Sequence, residues 1–505
     1  MTTPPIDDVT HRRARQGGFL PGLGIGLCVG LSVIYLFGQE TRFAVYGLGA
    51  AVALAFIPSL LRRAGSLERL LFITLLFSYQ IDVAIAYRFR PFKPAGPYGI
   101  LISPILIVTV LLFALRVVMA ARRLAPPLFI NRRLVWWTVV MFGAGVASTL
   151  STSDRQLVFF GLFEILTLAL IALAVADQST TRDGLRLVQR LLGWMVLIQS
   201  TLTIVSFATG VQISLSHCLP GDEGAWLHSG RFTGTLVTPS AVATLLVVGL
   251  LSALSRLHQP MSARDRLWQY LQLGLGGFAL LLTQTRTAWI GMILGGGGIL
   301  LAAVRRGEVR PQRLLALAGG GVLVLLLSWP FIAARVEQNH VDDYETRKRL
   351  MLIAVEMIKA HPVVGVGLNT ATNQVREYAA RAGAEGWVFI VHNQFLLVWA
   401  ETGIFGLIAF ISLFRVAFQA ASRLKRCRDP ELERAGLWLF WSLVTLVWGL
   451  SMDHVSGAVT YKLVFILFGV AVGAARLVPR REGTDTASGE RRAAEYAPAR
   501  AGVAA

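Results

Sequence analysis

The chain is poor in charge and cysteine. Asp, Glu, Lys and Arg together make up only 15% of its 505 residues, and there are three cysteines. So little charge over such a length argues against a soluble enzyme, because the hydrophobic fraction of 54% exceeds what a solvated surface tolerates. Cys28, Cys218 and Cys427 fall in a span, an outside loop and an inside loop of the topology derived below. No intrachain disulfide or thiolate metal site is expected from them. Walker-type phosphate loops, internal repeats and the alternating pattern of a membrane β-barrel are also missing.

Acidic residues are scarcer than basic ones, 29 against 48, a net charge of +19. This excess does not point to nucleic acid, because most Arg and Lys sit in short loops between apolar runs. Those runs recur at about 20 residues, the length that crosses a hydrocarbon core of ~30 Å as helix. They lie near 19–38, 43–61, 68–87, 98–121, 134–150, 157–176, 185–208, 236–255, 267–284, 288–304, 314–333, 393–419, 435–451 and 459–476. The fold class is therefore all-α, a polytopic bundle of about 12–14 spans. The first run follows Arg12, Arg13 and Arg15, is too long for a secretory core and lacks small residues at a cleavage position, so it reads as a retained span.

With the N-terminus inside, the inside segments hold Arg62-Arg63, Arg122-Arg123, Arg132-Arg133, Arg264-Asp265-Arg266, Arg305-Arg306 and Arg423 to Arg426. The outside segments carry less, apart from Arg88, Arg90, Lys93 and one long loop. This gives an N-terminal inside tail at 1–18 and membrane helices with short loops at 19–235. Helices with the Arg286 turn follow at 236–333, then a large outside loop at 334–392. Further helices occupy 393–476, and an inside tail at 477–505 has the composition of a disordered segment.

Three polar stretches meet one membrane face. Arg286, in Thr283 to Trp289, sits in a tight turn where a guanidinium can snorkel to headgroups or, flanked by hydroxyls, pair with a phosphate. Arg231 precedes the span that starts near Leu236, in a Gly- and Pro-containing stretch that suggests a constrained approach. It is either structural or anion-binding. His392 opens the helix after the large loop, and an imidazole, with an ordinary pKa of about 6.5, can take a proton from a hydroxyl. No second histidine or carboxylate pair stands at metal-ligand spacing around it, so no metal is expected.

Within the large loop, Thr346 to Ala360 has the pattern of an amphipathic helix, with Arg347 on the basic side. It either lies in the interface or covers the spans as a lid. His361-Pro362 ends it, and Gly365 to Gly367 reads as a flexible turn. Asp453 and His454, in an outside turn, are supporting candidates; Asp82 and Glu164 are weaker ones. The run Gly295 to Gly298 reads as a close helix contact.

The stretches Arg231 to Ser240, Thr283 to Trp289, Arg347 to Gly367 and Val391 to Leu407 together resemble the O-antigen ligase family, which includes polysaccharide polymerases. The resemblance implies a glycosyltransferase of the bacterial inner membrane, multi-pass, with its active face periplasmic. Its donor would be an undecaprenyl-diphosphate-linked glycan, and its acceptor a glycan or lipid A-core hydroxyl. It implies no cofactor and no nucleic-acid partner; membrane lipids surround it. Carried onto this sequence, His392 matches the family's proposed general base, Arg286 and Arg231 match arginines that hold the donor diphosphate, and Glu401 matches a recurring acidic position. A transporter or flippase of a polyprenyl-linked or anionic substrate, and a non-catalytic assembly subunit, are the competing readings.

Overall fold

A computed structural model describes residues 65–81, 85–87, 99–211, 231–236, 238–257, 259, 261–308, 333, 341–383, 391–452 and 458–479. The expected spans 19–38 and 43–61, nearly all of 314–333, and the candidates Asp82, Asp453 and His454 lie outside the described residues. The chain divides into two compact units, Met1–Ser78 with Pro104–Pro127, and Tyr79–Ser103 with Leu128–Ala505.

In the first unit, α1 (Leu67–Ser78) packs with α2 (Pro104–Ala121). Arg116 of α2 is buried, and its Nε lies 3.3 Å from Glu68 Oε1, so the charge taken out of solvent has a partner. The sequence run 68–87 does not continue as one helix. It stops at Ser78, and β1 (Ile85–Tyr87) pairs antiparallel with β2 (Ile100–Ile102) in the second unit.

The second unit holds α3 (Arg132–Ala147), α4 (Arg155–Gln178), α5 (Arg182–Thr209), α6 (Pro239–Arg256), α7 (Ala263–Leu282) and α8 (Arg286–Arg305). It continues with α9 (Val341–Ala360), α10 (Ala371–Arg381), α11 (Gln394–Lys425), α12 (Pro430–Met452) and α13 (Ala458–Ala474). Among the described residues nine helices are long and apolar enough to cross a membrane. Their outward residues are apolar too, as Trp136, Val139 and Ile293 show, which is the surface a lipid solvent favours.

Helix starts follow local chemistry. Asn131, Asp154, Thr181, Thr238, Ser262 and Asn393 each accept a hydrogen bond from a backbone amide in the first turn, satisfying a donor that has no intrahelical partner. In the glycine run, a Cβ at Gly295 would come within 2.8 Å of Leu251 and 2.9 Å of Thr445, and one at Gly298 would strike the Trp441 ring. These glycines let α8 sit tightly on α6 and α12.

The helix from the large loop, α9, does not spend its apolar face on lipid. Leu350, Ile353, Ala354 and Met357 have no exposed surface and form a core with Val375 and Tyr378 of α10 and Leu397 and Ala400 of α11. Burying three large aliphatic side chains contributes at most about 1.5–3 kcal/mol each, enough to fix α9 on the bundle. Of the two sequence readings, packing on the spans is the one observed.

Candidate functional site

Hydrogen bonds join the approach to α6 to the α7–α8 turn, and join that turn and the start of α11 to the last turn of α12, so these segments share one end of the bundle. Arg231, Arg286, Arg347 and His392 all stand at this end.

Arg231 belongs to an irregular segment, residues 231–236, whose Thr233, Thr235 and Leu236 are buried. Such backbone is tolerated among membrane helices only when its polar groups are satisfied inside the protein. Here Gln199 of α5 does this: its Oε1 accepts from Thr235 N at 3.0 Å, and its Nε2 donates to Thr235 Oγ1 at 2.6 Å and to Gln80 Oε1 at 3.1 Å. Gly234 is required because a Cβ there would collide with the Gln199 amide. The constrained approach expected from sequence is thus present, ending at the Thr238 cap and Pro239.

The segment places Arg231 against the turn that carries Arg286. Arg231 Nε donates to the Thr283 carbonyl at 3.3 Å, and its Nη2 donates to Thr285 Oγ1 at 3.3 Å. Phe232 N also donates to Leu282 O. Between the two threonines, Gln284 adopts φ +50, a left-handed conformation uncommon outside glycine, and its Oε1 is buried without a hydrogen-bond partner. A strained residue with an unsatisfied acceptor is a functional signal that sequence reading passed over, although Gln284 lies inside the motif it singled out. Trp289 Nε1 braces the turn by donating to Leu280 O at 3.1 Å.

Thr285 and Thr287, on either side of Arg286, also line a small cleft of about 50 Å³ between α6, α8, α12 and α13. Ser240, Thr244, Thr445 and Thr460 add further hydroxyls to its walls. Most of the remaining lining is aliphatic or glycine.

His392 is half-buried and held from both sides in the chain. Val391 before it is buried in the core of α9 to α11. Asn393 after it caps α11 through Oδ1 and donates from Nδ2 to Ser451 O at 3.0 Å. Arg347 Nη1 donates to the next carbonyl, Met452 O, at 3.1 Å, where a cation also meets the negative end of the α12 dipole. Trp448, one turn earlier, donates from Nε1 to Thr287 O at 3.1 Å. The last turn of α12 therefore links the Arg286 turn, Arg347 and the His392 segment.

Glu401 has a different position. Its Oε1 accepts from Ala371 N at 3.3 Å, and its backbone carbonyl accepts from Gly367 N at 3.1 Å. The α10 N-cap, Thr370, makes no side-chain cap, because its hydroxyl donates to Val366 O and Gly367 O instead. Glu401 supplies the missing acceptor, and its charge suits a helix N-terminus.

The same contact corrects the expectation of a flexible turn at Gly365 to Gly367. Val366 N donates to Ala400 O at 2.8 Å, Ile404 N to Pro362 O at 3.0 Å, and Trp399 Nε1 to Pro362 O at 3.2 Å. The turn is docked where α11 breaks at Gly403, φ +68. Positive φ at Gly365 and Gly367 serves this docking.

Among the described residues, no three His, Cys, Asp or Glu side chains come together as a metal-binding group. A search of curated proteins finds no match to the chain. A family model described as O-antigen ligase matches residues 271–411, a stretch that runs from α7 through the Arg286 turn, α9, α10 and His392 into α11.

Proposed function

We propose, from a multi-pass membrane chain whose residues 271–411 belong to the O-antigen ligase family, that the Arg286 end of the bundle transfers a glycan from a polyprenyl-diphosphate donor to an acceptor hydroxyl. A glycosyltransferase-like membrane function follows from the family. The undecaprenyl donor, the histidine base, the absence of a metal requirement and the periplasmic orientation are our reading.

One observation carries it: Arg231, from the approach to α6, is hydrogen-bonded to the turn that holds Arg286. Two guanidinium-bearing segments brought together at a rim lined by hydroxyls suit a diphosphate. Guanidinium binds phosphate oxygens in pairs, and fixed cations gain strength where water is excluded.

In this reading the acceptor oxygen attacks the anomeric carbon while His392 takes its proton. The bond from that carbon to the diphosphate oxygen breaks, and the diphosphate leaves with the electron pair, its charge met by Arg286 and Arg231. Arg347 and Asn393 are positioning residues, fixing the His392 segment on the end of α12.

The test is reconstitution of purified protein in lipid with a polyprenyl-diphosphate glycan and candidate acceptors. His392→Ala is expected to bind donor as wild type does and to transfer roughly 10²–10⁴-fold more slowly, the usual contribution of a general base. Arg286→Ala is expected to lose donor binding. Full transfer by either folded variant would favour a transporter or assembly role, and activity abolished by chelator and restored by a divalent cation would end the metal-free form of the mechanism. Deletion in the native host separates the two acceptor classes: unattached lipid-linked polymer marks a ligase, accumulated single repeats a polymerase.

A further inference from the structure

The opposite end of the bundle carries a second, larger groove that this chemistry does not use. It is an open groove of about 1210 Å³ between the start of α5, the end of α6, the start of α7 and the start of α12. Arg186, Arg190, Arg256, Arg264 and Arg434 all line it.

Carboxylates pair with only two of these five, Arg186 and Arg434, among the described residues. Glu431 is held by Arg186, whose Nη2 donates to Oε2 at 2.7 Å, and Asp429 pairs with Arg182. Asp265 accepts from Ser262 Oγ at 2.7 Å. Arg434 reaches Glu308 through Nη2 at 3.2 Å. Among the described residues, Arg190, Arg256 and Arg264 have no carboxylate in ion-pair contact. Arg256 lies close enough to Arg190 for their charges to repel, and Asp265, beyond ion-pair distance, offsets part of that repulsion.

Two of the arginines also present unsatisfied donors. The Nε–H groups of Arg256 and Arg434 are buried and have no hydrogen-bond partner, although Arg256 Nη2 is held by Gln269 Oε1 at 3.4 Å. A buried guanidinium N–H without an acceptor is costly, and a rim arginine that merely reaches for water would not retain one. These donors call for an anion with several oxygens.

The walls beside them are greasy and open. Trp194 is 50% exposed and meets Trp268 edge-to-face at 4.4 Å, while Leu267 and Leu271 are 59% and 42% exposed. Tryptophan beside arginine at the end of membrane helices is the arrangement found at the headgroup level of a bilayer. A phosphate that arrives with acyl chains attached satisfies both the cationic floor and the apolar wall, whereas free phosphate satisfies only the first.

We propose that this groove binds an anionic membrane lipid by its phosphate headgroup, through Arg190, Arg256 and Arg264, with its acyl chains along Trp194, Leu267 and Leu271. The site is separate from the one that holds the glycan donor and does not depend on the function assigned there.

Lipid retention by full-length protein, read by native mass spectrometry after exchange into phosphatidylglycerol or phosphatidylcholine of the same chains, tests it. Wild type is expected to retain phosphatidylglycerol preferentially. Arg190→Gln and Arg264→Gln, both at exposed side chains, are each expected to cut that preference roughly fivefold, which is about 1 kcal/mol at 1.4 kcal/mol per decade. Arg305→Gln, exposed at the same end but outside the groove, should leave it unchanged. Arg256→Gln should remove it, with folding checked by thermal unfolding. Equal retention of the two lipids, an unchanged preference in Arg190→Gln and Arg264→Gln, or an equal fall in Arg305→Gln would overturn the proposal. So would displacement of bound lipid by millimolar inorganic phosphate with no headgroup preference, which would identify a free-phosphate site instead.

Discussion

The indole N–H of Trp448, in the last turn of α12, donates to the carbonyl of Thr287 at 3.1 Å. Three residues on, Ser451 accepts from Asn393, and Met452 accepts from Arg347. The Arg286 turn and the His392 segment are therefore registered against the same helix end, although α8, α9 and α10 lie between them in the chain.

Trp448→Phe keeps most of the ring and loses that donor. A net hydrogen bond is worth about 1 kcal/mol of stability, so the variant is expected to lose about that much and, because the bond registers the Arg286 turn against α12, to transfer glycan more slowly as well. Steady-state kinetics beside an unfolding curve checks this; a large loss of stability with normal specific activity would mean that Trp448 serves packing alone.

Glu401 separates a chemical from an architectural role. Glu401→Gln retains an Oε1 acceptor for Ala371 N and should keep most activity. Glu401→Ala leaves the start of α10 without its acceptor and should cost about 1 kcal/mol, the usual value of a cap. Measured activity and melting temperature of both variants decide the matter: loss of activity in a stable Glu401→Gln protein would show that the carboxylate charge itself takes part.

The membrane class and most helix limits were legible in the sequence because apolar runs and Ser, Thr, Asn or Asp caps are local signals. The expected 185–208 and 435–451 lie within the observed Arg182–Thr209 and Pro430–Met452. The run 68–87 misled because hydropathy does not register a break at Tyr79 and Gln80, where the Gln80 carbonyl accepts from Thr235 Oγ1 at 2.6 Å, far along the chain. Helix α10 escaped notice because it is short and polar, and its N-terminus depends on Glu401. Within the site, Arg231 and Arg286 could be chosen by residue type, but their connection through Thr283 and Thr285 is a tertiary fact. The same holds for Gln284, whose backbone angle leaves no mark on composition.

Acid stability should report on Asp429. Burial pushes its carboxyl up, but the Arg182 hydrogen bond and charge and the amides of Leu432 and Glu431 outweigh this and hold it below the usual carboxylate range. A carboxylate depressed on folding stabilises above its unfolded pKa of about 3.9, and the contribution fades as pH falls through the lower folded value. Asp429→Asn can still cap α12 while losing the charge, so its stability deficit at pH 7 should be under about 1 kcal/mol, as for a partly exposed pair. That deficit should shrink as pH falls below 4, and Asp429→Ala should be weaker than Asp429→Asn at every pH. Unfolding curves across roughly pH 3–7 provide the comparison; a deficit that grows on acidification would contradict the sign.

Gly403 is the position where α11 breaks so that the Pro362 to Gly367 turn can dock. Its φ of +68 is disfavoured for any residue with a side chain, and a Cβ would strike the Val363 carbonyl. Relief of that clash requires the turn to leave the helix, breaking the Ile404 to Pro362 and Val366 to Ala400 hydrogen bonds together. Gly403→Ala is therefore expected to destabilise the protein by more than about 2 kcal/mol, combining strain at a special backbone angle with lost buried hydrogen bonds. Gly449→Ala is the control, since a Cβ there meets nothing within 4 Å. If the two alanine variants melt together, the docked turn contributes nothing to stability, and its glycines would have to be explained by the chemistry of the site.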